Sequence, residues 1–541
     1  MRRYIRAIIV AALAIGLWYI AATTYDPMYG AVETDLDLSD NAAVEEDSNT
    51  LTIWYADEAL TDYLSSVALS FQNDFGIKVI PVLKSGIEYL ETINEVSVKD
   101  PSESEEAMPD LYITSHNNLL RAYLAGIAEP VSDPGYIMSD STYPNVSLDA
   151  VTCYGQFVGY PLYYETGYFL YNKTYMASIA QNKIESDNDL AEGQAATEEI
   201  EKGNIDKDPG ELKENESDSE NVNDSNVSEK TEDGDESQDQ SMIDEGAYDA
   251  EAMGEEDAEV SQEVLEKLAT MIPSTLDDIT TFANNYDAPE AVESVFKWDV
   301  TDIFYNYFFV GKYMEVGGKA GDNAAVFNIY NQQAVQCLDA YKGMSQFFTI
   351  DTDKDNYDSI LQDFIDGKLV FTVATTDAIA KIREAKEKGE FEFDYGVTTL
   401  PDVSSLLKTR GLSVTDAVAI NGYSKKQEEA NILATYIVSN KVDELYKKAG
   451  KVACNKNVEY EDSEISHVIA EYEKSMPLPK IVEAANYWVQ LEIAFTKVWN
   501  GADPDTTLKE LSDTIGAQIE EIRANLPTQE SFLAGGGKFI Q

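Results

Sequence analysis

The chain has 541 residues, 44% of them hydrophobic and 11% aromatic, which is enough for more than one core. Its net charge of −60 disfavours nucleic acid and anionic membrane surfaces as partners. Two histidines and three scattered cysteines (Cys153, Cys337, Cys454) offer no His-based catalysis, metal pattern or disulfide framework, so no cofactor is expected.

A basic start, Met1–Arg6, precedes an apolar run from Ala7 to Ala22. Over residues 1–24 this reads as either a cleaved signal peptide or an uncleaved signal anchor, with Trp18 and Tyr19 as interfacial residues. Both readings export the rest of the chain, leaving it secreted or held at the cell surface. Residues 25–50 are small and acidic, a flexible tether.

Leu51–Tyr55 is a short apolar strand. Leu60, Tyr63, Leu64, Val67, Ala68 and Phe71 then recur at helical spacing, and Ile77–Val82 is a second strand. Such a β-α-β unit predicts a parallel sheet. Pro109–Ile113 is a third strand, ending in the polar loop Thr114–Asn118. Ligands in these sheets bind outside the carboxyl ends of strands, which places Ala56-Asp57-Glu58 and Thr114–Asn118 at a candidate site, with Glu58, His116 and Asn117 as its ligand contacts. For His116 a loop hydrogen-bonding role competes. Asp149–Lys173 reads as two short strands with a bend, because Pro161 removes a backbone donor. Its Tyr163, Tyr164 and Glu165 offer flat faces and an acid.

The ordered series LTIWYADEALTDYLSSVALSFQNDFGIKV, PDLYITSHNNLLRAYLAGIAEPVSD and YPNVSLDAVTCYGQFVGYPLYYETGYFLYNK resembles the extracellular solute-binding proteins of ABC importers, in their maltose-binding-protein-like branch. The likeness resumes at Pro273–Asp278 and runs to about Ile522. It implies an α/β fold of two lobes (periplasmic-binding-protein-like, type II). Each lobe would be a mostly parallel sheet flanked by helices, joined to the other by hinge crossings. Lobe 1 would take 51–160 and 406–470, lobe 2 would take 161–405, and C-terminal helices over 471–541 would lie mainly on lobe 2. Gly159-Tyr160-Pro161 would sit near the hinge.

The resemblance also implies site residues. Trp298, Asp299, Asp302 and Tyr305 fall where relatives stack and hydrogen-bond a sugar. Glu165 matches a family acid, and Asp377 stands where maltose binders have a stacking tryptophan. Trp488, counted back from Asn500-Gly501, falls at another such position, with core packing as the competing explanation. Other maltose contacts are missing: no lysine follows the first strand, and Thr114, Asn117 and Asn118 replace the family's Trp, Asp and Arg. The implied function is a monomeric receptor that captures a small solute, an oligosaccharide by analogy, and delivers it to an ABC permease. An anchored ligand sensor, a receptor for a non-sugar solute, and a glycan-processing enzyme using Asp299 and Glu165 stay open as alternatives. Between residues 185 and 260 acids far outnumber lysines and no aromatic lies between Tyr175 and Tyr248, so this insert is expected to be disordered.

Overall fold

Strand β1 (Thr50–Tyr55) leads into helix α1 (Thr61–Phe75), which buries Tyr63, Leu64, Val67, Ala68 and Phe71 along one stripe. Gly76, in the left-handed region, ends α1 and turns the chain into β2 (Lys78–Leu83). Helix α2 (Tyr89–Val98) and strand β3 (Leu111–Ser115) follow. This computed structural model describes residues 49–525 apart from 85, 87, 100–106, 204–259 and 485. The apolar run 7–22, most of the tether and much of the acidic insert lie outside the described residues. Among the described residues no helix is long and apolar enough to cross a membrane.

Strand β4 (Tyr160–Asn172) is one continuous strand of 13 residues, not two with a bend. Pro161 is absorbed at a register shift, where Ala417 pairs with Pro161 while Asp416 pairs with Tyr163. The irregularity spares the sheet the missing amide donor. Helix α3 (Lys173–Gly203) then runs well into the insert, overturning the expectation of disorder for residues 185–203. That stretch holds many good helix formers, Gln181 bonds Glu185 one turn on, and Asp187 pairs with Lys267 of α4 (Gln262–Ala269).

Lobe 2 continues through β5 (Ser294–Phe296), α5 (Gln332–Phe347), α6 (Tyr357–Ile365), β6 (Leu369–Thr375), α7 (Asp377–Lys388) and β7 (Tyr395–Thr398). The chain returns to lobe 1 in β8 (Leu412–Ile420) and α8 (Ile465–Lys474). It closes on lobe 2 with α9 (Tyr487–Trp499) and α10 (Pro504–Asn525).

The strand order in lobe 1 is β2-β1-β3-β8-β4; in lobe 2, β4 lies between β6 and β7, with β5 beyond β6. In lobe 1, β1, β2, β3 and β4 point one way and β8 runs against them. In lobe 2, β5, β6 and β7 point one way and β4 runs against them. Thr166 still pairs with β8, whereas Gly167 pairs with β6. The first crossing therefore falls at Thr166–Gly167, beyond the Gly159-Tyr160-Pro161 step. Two further crossings join β7 to β8 and α8 to α9.

Two apolar cores result. Lobe 1 buries Leu51, Ile53, Trp54, Leu111 and Ile113 around its sheet. The other core gathers Phe169, Phe296, Trp298, Phe309, Tyr341 and Trp499. Strand β4 serves both, turning Tyr168 and Leu170 to one core and Phe169 and Tyr171 to the other.

Candidate functional site

Along β4 every residue is buried except Glu165, which keeps partial exposure, and in β8 the partly exposed residues are Val414 and Asp416. Registration places Val414 opposite Glu165, and Asp416 between Tyr163 on one side and Ser115 on the other. Three neighbouring strands thus present Ser115, Asp416 and Tyr163 in a row. This row floors a cleft of about 620 Å³. Lobe 1 adds Ala56, Asp57, Tyr89, Thr114 and Asn118, and lobe 2 adds Asp302, Phe304, Tyr305 and Thr375.

The lobe 1 wall is held by charge. Asp57 caps the short turn Glu58–Leu60 by accepting from the Ala59 amide at 3.0 Å. Its other oxygen accepts from Lys451 Nζ at 2.8 Å and from the Tyr163 hydroxyl at 3.4 Å. The same ammonium reaches Glu165 at 3.3 Å and lies 5.1 Å from the Tyr163 ring centre. Burial would lower the Lys451 pKa, but Glu165 and Asp57 outweigh it and the pKa is raised. Asp416 accepts from Ser115 Oγ at 3.1 Å. Burial, with Glu165 adding repulsion, pushes its carboxyl up to about 7, against the opposing pull of Ser115 and Lys451.

The lobe 2 wall rests on a turn that the sequence builds locally. Asp299 is buried and accepts from the Thr301 amide and hydroxyl, the Asp302 amide and, across to α6, the Tyr357 amide. Asp302 then caps the turn Ile303–Tyr305 by accepting from the Phe304 amide at 2.8 Å. Tyr305 stacks on Tyr357, with ring centres 4.9 Å apart. The Tyr357 hydroxyl donates to Asp377 at 2.6 Å, and Asp377 also accepts from Thr375 and pairs with Lys381. Among the described residues no group of three or more His, Cys, Asp or Glu side chains is placed to hold a metal ion.

Residues 67–474 match the profile of the bacterial extracellular solute-binding proteins. The chain belongs to that family. This solute-binding protein therefore works outside the cytoplasm, and no curated protein matches it in sequence. Its fold is that of several solved two-lobed binding proteins. The extracellular solute-binding protein from Staphylococcus aureus, in complex with maltose, has a TM-score of 0.60 at 17% identity, covering 88% of this chain and 98% of that one. A cyclo/maltodextrin-binding protein complexed with maltotetraose gives 0.59 at 16% identity, over 87% and 97%. A maltose-binding periplasmic protein from Listeria monocytogenes, in complex with maltose, gives 0.58 at 17%, over 87% and 98%.

Of the residues singled out from sequence, the solute-binding protein gathers Tyr163, Glu165, Asp302 and Tyr305 at the cleft. The others lie elsewhere. Glu58 is exposed while its neighbour Asp57 lines the wall, and Asn118 lines it in place of Asn117. His116 is fully buried, its Nε2 donating to the Leu478 carbonyl at 2.8 Å and its Nδ1 accepting from the Thr415 amide at 3.0 Å. A charged ring would turn a proton on that amide, and burial depresses the His116 pKa to about 3. Tyr164 points away from the cleft and stacks on Tyr472, ring centres 3.6 Å apart. Trp298 is wholly buried in the lobe 2 core. Trp488 packs edge-on to Tyr307 and Tyr487. Asp299 and Asp377 stand behind the wall and shape it.

Sequence reasoning missed Asp416, Lys451 and Phe304. Asp416 carried a signal, since an acid amid the apolar strand LSVTDAVAI needs a reason. Lys451 carried none. A Lys451→Met variant should lose about 1–2 kcal/mol in a urea melt. That is less than the 3–5 kcal/mol of a fully buried pair, because Asp57 and Glu165 keep part of their side chains in water. An unchanged midpoint would show that the Lys451 bridge contributes nothing to holding the wall.

Proposed function

We propose that this protein is the carbohydrate receptor of an ABC importer. The observation that carries the reading is a cleft walled by both lobes, with rings (Phe304, Tyr305) beside hydrogen-bond acceptors (Asp57, Glu165, Asp302, Asp416). Rings cover the apolar face of a sugar and carboxylates accept from its hydroxyls. The maltose and maltotetraose held by the similar solved proteins support the same solute class. Closure of the lobes on a solute shifts the population toward the bound form, and no chemical step is needed. Against a glycan-processing enzyme stands the engagement of Asp299, whose carboxylate is committed to its own turn.

In this reading the receptor acts as a monomer, hands its solute to permease subunits, and is tethered to the membrane through the apolar run 7–22 when that run is retained. A thermal-shift screen of maltotriose and other oligosaccharides against polyamines and peptides tests it. A native-state ligand present at a hundredfold its Kd adds about 2.7 kcal/mol, a shift that is easily read. Oligosaccharides should raise the midpoint and be recovered intact. A peptide as the sole stabiliser, or turnover of a bound glycan, would overturn the reading.

A further inference from the structure

Charge in the cleft is out of balance. Asp57, Glu165, Asp302 and Asp416 all line it, and no lysine or arginine is among its described lining residues. The ammonium at its edge, Lys451, is already engaged by Asp57 and Glu165. Asp416 on lobe 1 and Asp302 on lobe 2 form no ion pair among the described residues. Each accepts one described hydrogen bond, from the Ser115 hydroxyl and the Phe304 amide. A carboxylate has about four lone-pair sites, so both keep capacity toward the cleft. Tyr89 lines the same cavity, and its hydroxyl is buried with no hydrogen-bond partner among the described residues, within electrostatic reach of Asp416.

We propose that the solute is a carbohydrate bearing a protonated amine, gripped by Asp416 from one lobe and Asp302 from the other as the lobes close. This rests on the carbohydrate-receptor reading and narrows it. Sugar hydroxyls alone would satisfy the lone pairs but leave two carboxylate charges stripped of water on closure. An ammonium supplies three donors and cancels charge in the same place. The groups facing Asp416 are Ser115 from β3, Tyr163 and Glu165 from β4, Asp57 after β1, Tyr89 from α2, and Lys451. Of these only Lys451 is cationic. Partial desolvation at the turn, with Asp299 adding repulsion, also raises the Asp302 carboxyl above its ordinary range. The net charge of −60 concentrates cations around the chain and acts in the same sense.

Calorimetric titration of the full chain with three trisaccharides tests the inference: the glucosamine trimer, its N-acetylated counterpart and maltotriose. At about pH 7, where the amine is still largely protonated and the Asp416 carboxyl is ionised in substantial part, the glucosamine trimer should bind at least about tenfold tighter than either neutral sugar, in line with a charge-assisted bond. Added salt should narrow that gap. Asp416→Asn and Asp302→Asn should each cut the preference to about threefold or less, by the same loss of charge assistance. Equal or tighter binding of maltotriose or the N-acetylated trimer would overturn the amine while leaving the carbohydrate receptor standing. A preference that survives both substitutions would also overturn it. Binding of a polyamine such as spermidine with none of the three sugars would overturn both readings.

Discussion

A Trp298→Ala variant is expected to lose about 3–5 kcal/mol of stability, the largest single loss argued from this structure. Trp298 is fully buried, lies against Phe296 with ring centres 4.8 Å apart, and meets Trp499 edge-on at 5.5 Å. Its indole donates to Asn306 at 2.9 Å, and Asn306 in turn donates to the Asp299 and Asp302 carbonyls. The truncation therefore opens a cavity and loosens the turn that carries Phe304 and Tyr305. Urea denaturation should show the midpoint fall. Trp298→Phe keeps most of the volume and loses only the Asn306 bond, so it should cost about 1–3 kcal/mol. Wild-type stability in Trp298→Ala together with lost sugar binding would instead make Trp298 a ligand contact.

Asp416→Asn is expected to stabilise the ligand-free protein, and more so as pH rises. The carboxyl titrates near 7 in the folded chain and ordinarily near 3.8. A raised carboxyl pKa means the folded state binds the proton more tightly. Its contribution is intact below about 3.8 and is lost as pH rises toward 7. The full span corresponds to about 4 kcal/mol, which partial exposure to the cleft reduces to about 2–3 kcal/mol. Melts at about pH 4 and pH 8 should place the variant level with wild type in acid and above it by that amount in base. A difference independent of pH would sink this account.

His116 acts in the opposite sense. Its depressed pKa makes stability complete above about 6.5 and lost progressively as pH falls toward 3. The two groups offset each other between about pH 4 and 6.5, so Asp416→Asn should also unmask a steeper acid limb.

Periodicity and strand composition made the framework legible. The β-α-β unit expected over Leu51–Val82 stands as β1, α1 and β2, and the apolar stripe of α1 matches its buried face. The long strand was misread because Pro161 argues for a strand end, and only the partner strand shows the shift that accommodates it. The site was less legible for a related reason. Alternation along a strand says that Tyr163 and Glu165 share a face, while Tyr164 faces the other way. It does not say which face meets the cleft. His116, Trp298 and Asp299 are residue types rich in binding chemistry, and here burial commits them to the fold. Lys451 reaches Asp57 and Glu165 across most of the chain's length, a contact that no local pattern encodes.

The thirteen residues of β4 have one further consequence. Up to Thr166 they complete the sheet of the first lobe, and from Gly167 they form an interior strand of the second. Neither half of the molecule can be cut out as a contiguous fragment with its sheet intact. The folding of the two halves is consequently coupled: melting either sheet strips a strand from the other.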